Sequence, residues 1–423
     1  MFDKLTMLFR APDLRKKVLF ILAMLVLFRI AAAIPVPGVD ISRLKDFIAG
    51  NQFFGLFNIF SGGALDNLSI VMLGVGPFIT ASIIMQLLTM VVPRFKEMYQ
   101  EEGEAGRARF NQYSRLLAVP LALLQSYGLL VLLSRQHVIG NIGVFGYLTN
   151  MIVAAAGSVL LMWLGELITE KGIGNGVSLI IFAGIISRIP RDLQQELFSF
   201  SADKLPAYLA FLVASLVVIA GVVIISEGTR NIPVSYAKRI RGMRMYGGVS
   251  THLPLRVNQA GVIPIIFAIS LLLFPGLIGS FLAGAANPIL QKISGILLGI
   301  LNNQLLYGLI YFLLVFAFTY FYTAVTFDPA SIAENIQKQG GFILGVRPGR
   351  PTAEMLSYIL NRITLAGGLF LGIVAVLPLV VRGVFQIQSL TLGGTALLIV
   401  VSVVLETVNQ IDAQLVTREY ERI

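Results

Sequence analysis

Ten runs of about twenty predominantly apolar residues recur along the chain, and this spacing limits the possible folds more than any other feature. A helix of that length spans the roughly 30 Å of hydrocarbon in a bilayer. The runs fall near 18 to 34, 70 to 92, 116 to 134, 147 to 169, 174 to 190, 206 to 227, 258 to 282, 304 to 326, 363 to 381 and 388 to 409. A closed β-barrel would instead show weak ten-residue alternation. With 56% hydrophobic and 13% charged residues among 423, the chain reads as an all-α, polytopic membrane protein.

Charge sets the orientation, because Lys and Arg in short loops stay on the cytoplasmic side. With the N-terminus inside, inner segments hold 23 of the 32 Lys and Arg and outer segments hold 8, while Arg29 lies within the first run. An even number of spans then puts both termini in the cytoplasm. The net charge of +10 is thereby a topology signal before it is a nucleic-acid signal. The first run follows Arg15, Lys16 and Lys17 and ends in Ala31-Ala32-Ala33, a pattern shared with cleavable signal peptides. Arg29 and the nine runs that follow favour a retained helix.

Several chemistries lack their residues. There is no cysteine for disulfides or thiolate metal sites, and both histidines, His137 and His252, lie outside the spans. No cofactor is expected. Coupled solute transport normally needs a carboxylate at mid-membrane, whereas Arg29, Glu166 and Glu227 sit toward span ends. Paired mid-span aspartates and a His-Glu-x-x-His motif, as intramembrane proteolysis would use, do not occur, nor does a phosphate-binding G-x-x-x-x-G-K-[ST] loop.

One stretch breaks the pattern. "LFNIFSGGALDNLSIVMLGVGPFITASIIMQLL", residues 56 to 88, opens as a membrane helix, turns small and polar from Ser61 to Ser69, and resumes. Non-helical backbone at membrane depth survives only where protein buries it or where it lines an aqueous cavity. Residues 56 to 69 are therefore expected to re-enter a cavity from outside, the alternative being an interfacial loop anchored by its Phe residues. The following span sets Ile79 and Ile83 one turn apart, and Ile181 lies midway along "GIGNGVSLIIFAGII". Isoleucines so spaced are ordinarily core or lipid-facing residues.

Three inner loops exceed the needs of a connector. The first, "PRFKEMYQEEGEAGRARFNQYSR", starts at Pro93. The second, residues 228 to 257, has β-branched arms in "IPVSYAKRI" and "VSTHLPLRV" around a Met-Tyr-Gly-Gly turn and predicts a hairpin. The third spans 327 to 362 and contains "QKQGGFILGVRPGRPT". The halves also echo each other. Gly74-Val75-Gly76-Pro77-Phe78-Ile79 opens the second span and Gly261-Val262-Ile263-Pro264-Ile265-Ile266 the seventh, five spans later, as an inverted repeat requires.

Taken together, "GPFITASIIMQLL", "NQYSRLLAVPLALLQS", "ITEKGIGNGVSLIIFAGI", "YGGVSTHLPLRVNQAGVIPIIFA", "GVRPGRPTA" and "LGGTALLIVV" closely resemble the bacterial SecY family, central subunits of the Sec protein-conducting channel. The resemblance runs from residue 15 to 420. It implies ten transmembrane helices in two inverted five-helix halves, 1 to 195 and 196 to 423, around an hourglass pore. It also implies a channel, not an enzyme, that passes unfolded secretory chains across the membrane and releases apolar segments sideways.

Carried onto matching positions, the resemblance makes Ile79, Ile83, Ile181, Ile263, Ile266 and Ile399 the pore ring. Leu56, Phe57, Asn58, Ile59, Phe60, Ser61, Gly62, Gly63, Ala64, Leu65, Asp66 and Asn67 become the plug, whose glycines would let it hinge and whose polar residues would keep it out of lipid. Thr89, Gln125 and Asn258 match polar positions near the cytoplasmic ends of a lateral gate between spans two and three and spans seven and eight. Arg244 and Arg347 match basic docking positions. Leu344-Gly345-Val346 stands where many members have Pro-Gly-Ile, so that turn is expected to be less rigid. The implied partners are the SecE and SecG small subunits, the SecA motor, the ribosome, signal-bearing polypeptides and the lipid bilayer of the bacterial inner membrane.

Overall fold

The computed structural model of the chain describes residues 12–37, 44, 58, 61–135, 138–140, 143–198, 205–236, 239–241, 244–246, 250–282, 287–385 and 391–421. Ten long helices coincide with the ten apolar runs. They are α1 (Pro12–Ala33), α2 (Gly76–Val91), then, after the short α3 (Pro93–Gln100), α4 (Gly103–Arg135), α5 (Gly143–Lys171), α6 (Gly176–Phe198) and α7 (Leu205–Glu227). Strands β1 (Thr229–Tyr236), β2 (Arg239–Arg241), β3 (Arg244–Tyr246) and β4 (Ser250–Arg256) precede α8 (Ile263–Leu282), α9 (Pro288–Asn302) and α10 (Gln304–Thr326). The chain closes with α11 (Pro329–Lys338), β5 (Gly341–Ile343), α12 (Arg350–Phe385) and α13 (Thr391–Glu421). Among the described residues, five helical stretches are long and apolar enough on their own to cross a membrane. The α2–α3 pair adds a sixth in which two helices meet at 110°.

That bend has a local cause. Val92 is extended at φ −110°, ψ 110°, and Pro93 opens α3 at a position where its missing N–H costs nothing. The returning α3 packs on α4 through Tyr99 and Phe110, ring centres 4.9 Å apart, with Met85 and Met98 beneath. The first inner loop is thus a helical hairpin in which α4 continues the third span. At its far side the Gln100 amide donates to the Val325 carbonyl of α10, 3.5 Å away.

Neighbouring helices pack in sequence: α2 with α4, α4 with α5, α5 with α6, α10 with α12, and α12 with α13. Two further contacts join the first five long helices to the last five. On one side α8 lies against α2 and α4; on the other α13 lies against α6. One apolar cluster runs through both contacts and includes residues of α1, α2, α4, α5, α6, α8, α10, α12 and α13.

The second inner loop forms the expected hairpin, with β1 and β4 antiparallel and Ile232 opposite Leu253. Its tip departs from expectation: Met245 and Tyr246 belong to β3, which pairs with β2, so they extend the ladder instead of turning it. The third inner loop supplies a third strand. β5 pairs antiparallel with β1, Val234 opposite Ile343, giving the order β4-β1-β5. Beneath this sheet Ile232, Val234, Leu255, Ile336, Ile343, Leu356, Ile359 and Ile363 form a second apolar cluster. After β5 the chain turns with the Val346 N–H on the Ile343 carbonyl (3.1 Å) and Gly345 at φ +83°. This is a type II geometry in which glycine takes the left-handed position, and the preceding position, suited to proline, holds the exposed Leu344.

Shared burial makes the two loops one folding unit. Ile343→Ala should destabilise that unit by about 2–5 kcal/mol. Hydrogen exchange should then accelerate in β1 and β4 as well as in β5, whereas an effect confined to β5 would show the loops to be independent.

Candidate functional site

The interrupted stretch is the centre of the site. From Ser61 to Val75 the backbone runs as successive turns between Asn58 and the start of α2. Carbonyl-to-amide closures follow one another, Leu68 N–H on the Leu65 carbonyl (3.0 Å), Met72 on Ser69 (2.9 Å) and Gly74 on Val71 (2.8 Å). The segment also pairs with the chain leaving α1: the Val36 N–H donates to the Leu68 carbonyl (2.9 Å) and the Ile70 N–H to the Ile34 carbonyl (3.0 Å). The Ser158 hydroxyl of α5 donates to the Gly74 carbonyl at 2.8 Å. Backbone that cannot be helical is thereby satisfied by protein, as burial requires. Of the candidate plug residues, Leu56, Phe57, Ile59 and Phe60 lie outside the described residues.

The polar side chains act differently from the expectation that they repel lipid. Asn58, Ser61 and Ser69 are buried, and the first two fold the loop onto itself. The Ser61 hydroxyl donates to the Asn58 carbonyl (3.0 Å) and accepts from the Leu65 N–H (3.2 Å). The Asn58 amide donates to Asp66, and Asp66 pairs with Arg188 of α6 at 3.5 Å. Gly62 and Gly63, at φ +66° and +79°, hold left-handed positions that glycine occupies without strain. Gly62 also needs its bare α-carbon, since a Cβ there would stand 2.5 Å from the Phe28 ring, and Gly184 of α6 needs the same, since a Cβ on it would stand 2.1 Å from the Gly62 α-carbon. Leu68 adopts φ +43° with its side chain fully buried, at a cost of about 1–2 kcal/mol offset by that burial.

The six candidate ring isoleucines come from α2, α6, α8 and α13. Ile79, Ile83, Ile181, Ile266 and Ile399 are each at most 5% exposed, Ile263 is half-buried, and all six fall in the main apolar cluster. They do not scatter toward the lipid face. Leu65, Leu68, Val71, Met72 and Leu73 of the turn-rich segment occupy the same cluster, so the loop and the isoleucines share one dry interior.

Of the candidate gate residues, Gln125 lies apart from Thr89. Thr89 is buried on α2 and donates to the Gln86 carbonyl of its own helix at 2.6 Å. Asn258, just before α8, donates to the Gly261 carbonyl at 3.1 Å. Gln125 is a correction: its carbonyl oxygen lies beside Gly76, 4.0 Å from where a Cβ there would stand. Thirteen helical residues separate Gly76 from Thr89, about 20 Å along α2, so Gln125 faces the other end of the seam. Sequence reading missed Gln86, whose buried side-chain oxygen, like that of Asn258, has no hydrogen-bond partner among the described residues.

Charged residues at span ends are engaged. Arg115 pairs with Glu166, the Asn409 amide donates to Glu227 at 2.8 Å, and an Arg29 N–H donates to the Gly62 carbonyl at 2.9 Å. Of the candidate docking residues, Arg244 lies on β3, and Arg347 is exposed in the turn before α12, its carbonyl accepting from the Thr352 hydroxyl at 2.8 Å. No cluster of three or more potential metal ligands occurs among the described residues.

Known proteins share this arrangement. In fold, the chain is similar to a protein-conducting channel (TM-score 0.65, 21% identity, 94% of this chain and 92% of that one). It is also similar to a SecY protein whose plug domain stabilises the closed state of the translocation channel and maintains a membrane seal (TM-score 0.66, 22% identity, 94% and 92%). In sequence, it is 46% identical over 433 residues to the protein translocase subunit SecY of Mycobacterium tuberculosis, covering 97% of both chains. Its identity to the same subunit of Corynebacterium glutamicum is also 46%, covering 98% of both. The SecY family model matches residues 69–408, from the last turns of the buried loop to the heart of α13. With the isoleucines and both contacts between the two sets of helices inside that match, and relatives 46% identical over nearly the whole chain, the chain belongs to the SecY family.

Proposed function

We propose that this chain is the pore-forming subunit of a protein-conducting channel, passing unfolded polypeptides across the membrane and releasing hydrophobic segments into it. The observation that carries this reading is that six isoleucines from both sets of helices belong to one apolar cluster, which also takes in side chains of a non-helical segment closed largely by its own hydrogen bonds. An apolar constriction excludes ions by dewetting. Aliphatic side chains also close around a moving chain without binding any particular residue of it.

Ile79, Ile83, Ile181, Ile263, Ile266 and Ile399 form the ring in this reading, and residues 56 to 69 form the plug. The seam where α8 meets α2 and α4 is the lateral gate. Its polar groups favour opening: the Thr89 hydroxyl and the Asn258 amide N–H donate within their own segments, and bonds of this kind in membranes are worth only about 0.6–2 kcal/mol. The buried oxygens of Gln86 and Asn258, without partners, gain when the seam admits water or a polar backbone.

The sheet formed by the second and third inner loops is the docking platform, presenting Arg347 and the strand that carries Arg244. Arginine suits that task, since its planar fork pairs with carboxylate or phosphate. Among similar structures is a Sec61 in a canine ribosome–channel complex. Ribosome and SecA motor are the partners assigned to this platform, with SecE and SecG as neighbouring small subunits and an energy source outside the chain. The charge bias puts both termini in the cytoplasm and the chain in the inner membrane, divided into halves 1 to 195 and 196 to 423.

Photocrosslinkers at Ile83 and Ile266 should both trap a stalled secretory chain, while probes on exposed positions such as Leu87 and Leu271 should trap lipid. The reverse pattern would remove the pore. Ile181→Asn and Ile399→Asn should each raise ion conductance of the idle channel in planar bilayers by severalfold. Idle conductance equal to that of the parent chain would count against an apolar seal.

A further inference from the structure

We propose that Arg29 and Arg188 are positioning residues that hold the plug in its seat, Arg29 through the Gly62 carbonyl and Arg188 through the Asp66 carboxylate. The inference rests on reading residues 56 to 69 as a plug, and assigns what sets the strength of the resting seal.

Two guanidinium groups from different helices reach one turn. Arg29 of α1 donates to the Gly62 carbonyl at 2.9 Å, and Arg188 of α6 lies 3.5 Å from Asp66, with Asp66 also attracting Arg29 through space. The seat is shaped for this contact. Gly184 and Arg188 are four residues apart on α6 and share a face, so the surface that receives the bare backbone of Gly62 also carries the cation for Asp66. On the α1 side, Phe28 abuts Gly62 so closely that a Cβ there would meet its ring at 2.5 Å, and Arg29 is the next residue. The Asn58 amide fixes Asp66 in the rotamer that meets Arg188.

The electrostatics favour the seated state. Arg188 and Asp66 are only 20% and 21% exposed, which weakens screening of their attraction. Arg29 lies toward the outer end of the first expected span and Arg188 at the outer end of the fifth, where an unpaired charge is costly. Lifting the loop strips partners from two cations and one carboxylate at once, so the contacts stabilise only the sealed conformation.

Both grips come from helices of the N-terminal set, α1 and α6, whereas the lateral seam runs between α2 or α4 and α8. Parting that seam breaks neither contact. Release of the plug and opening of the gate are therefore separable steps, with Asp66, Arg29 and Arg188 governing the first.

The test uses the complete channel complex in planar bilayers and reads idle open probability for Asp66→Asn, Arg188→Gln, the double variant and Arg188→Lys. Each of the first two should open about tenfold more often, as expected for loss of a hydrogen bond between charged groups. Because both remove one interaction, the double variant should be no leakier than Asp66→Asn. Arg188→Lys should stay within about threefold of the parent, since it keeps the charge. Parent-like sealing in the single variants, multiplied effects in the double, or a lysine variant as leaky as glutamine would overturn the proposal. A chain lacking residues 56 to 69 separates the two readings. If it leaks while Asp66→Asn does not, the plug stands and the arginine grip falls; if neither leaks, both fall.

Discussion

Everything in this structure answers to one constraint: lipid cannot hydrogen-bond a peptide group. Ten runs meet it by becoming helices, and the stretch from Ser61 to Val75 that does not is largely buried in protein, with Asn67 its one exposed residue. The turns from Ser61 to Val75 close on themselves, on the strand leaving α1 and on the Ser158 hydroxyl. A segment so enclosed keeps irregular geometry without a helix's self-sufficiency. It holds its turns largely through its own hydrogen bonds, and only a few bonds tie it to the neighbouring helices.

The two sets of five long helices meet unequally. Where α13 lies on α6, the partners belong to the continuous apolar interior, with Ile181 and Ile399 fully buried. Where α8 lies on α2 and α4, the interior is interrupted by Thr89, Asn258 and Gln86, and two of their oxygens have no partner. Imperfect satisfaction is normally a defect in a core. On the seam proposed as the lateral gate, it would lower the difference in free energy between closed and open, and the Gln100 contact to α10 adds only a long, weak bond at the rim.

Much of this was legible in advance because hydropathy at span length is a strong signal. All ten helices fall where the apolar runs lie, yet their ends do not. α12 begins at Arg350, thirteen residues before the run near 363 to 381, and α4 at Gly103 instead of near 116. A hydropathy window sees only the part in lipid, whereas the helix continues into water on the strength of pairs such as Arg350 with Glu354. The β1–β4 hairpin was legible from its β-branched arms, but β5 was not: three residues joining from a hundred positions away carry no local pattern. The isoleucines were legible as a group only by resemblance, since period alone marks any membrane helix. The inward turn of Asn58, Ser61 and Asp66, and the misplacement of Gln125, depended on tertiary contacts that no window contains.

The three-stranded sheet also ties distant parts of the chain mechanically. β4 leaves it only six residues, Val257 to Val262, before α8 begins, while β5 leads through one turn into α12. The Val257 N–H is held by the Gly228 carbonyl at 2.8 Å, and its own carbonyl lies so close to Gly367 of α12 that a Cβ there would stand 2.7 Å away. A load applied anywhere on this handle is shared by the helix bordering the seam and by the longest helix of the bundle. Whatever grips this sheet thus holds a lever arm whose short end is α8.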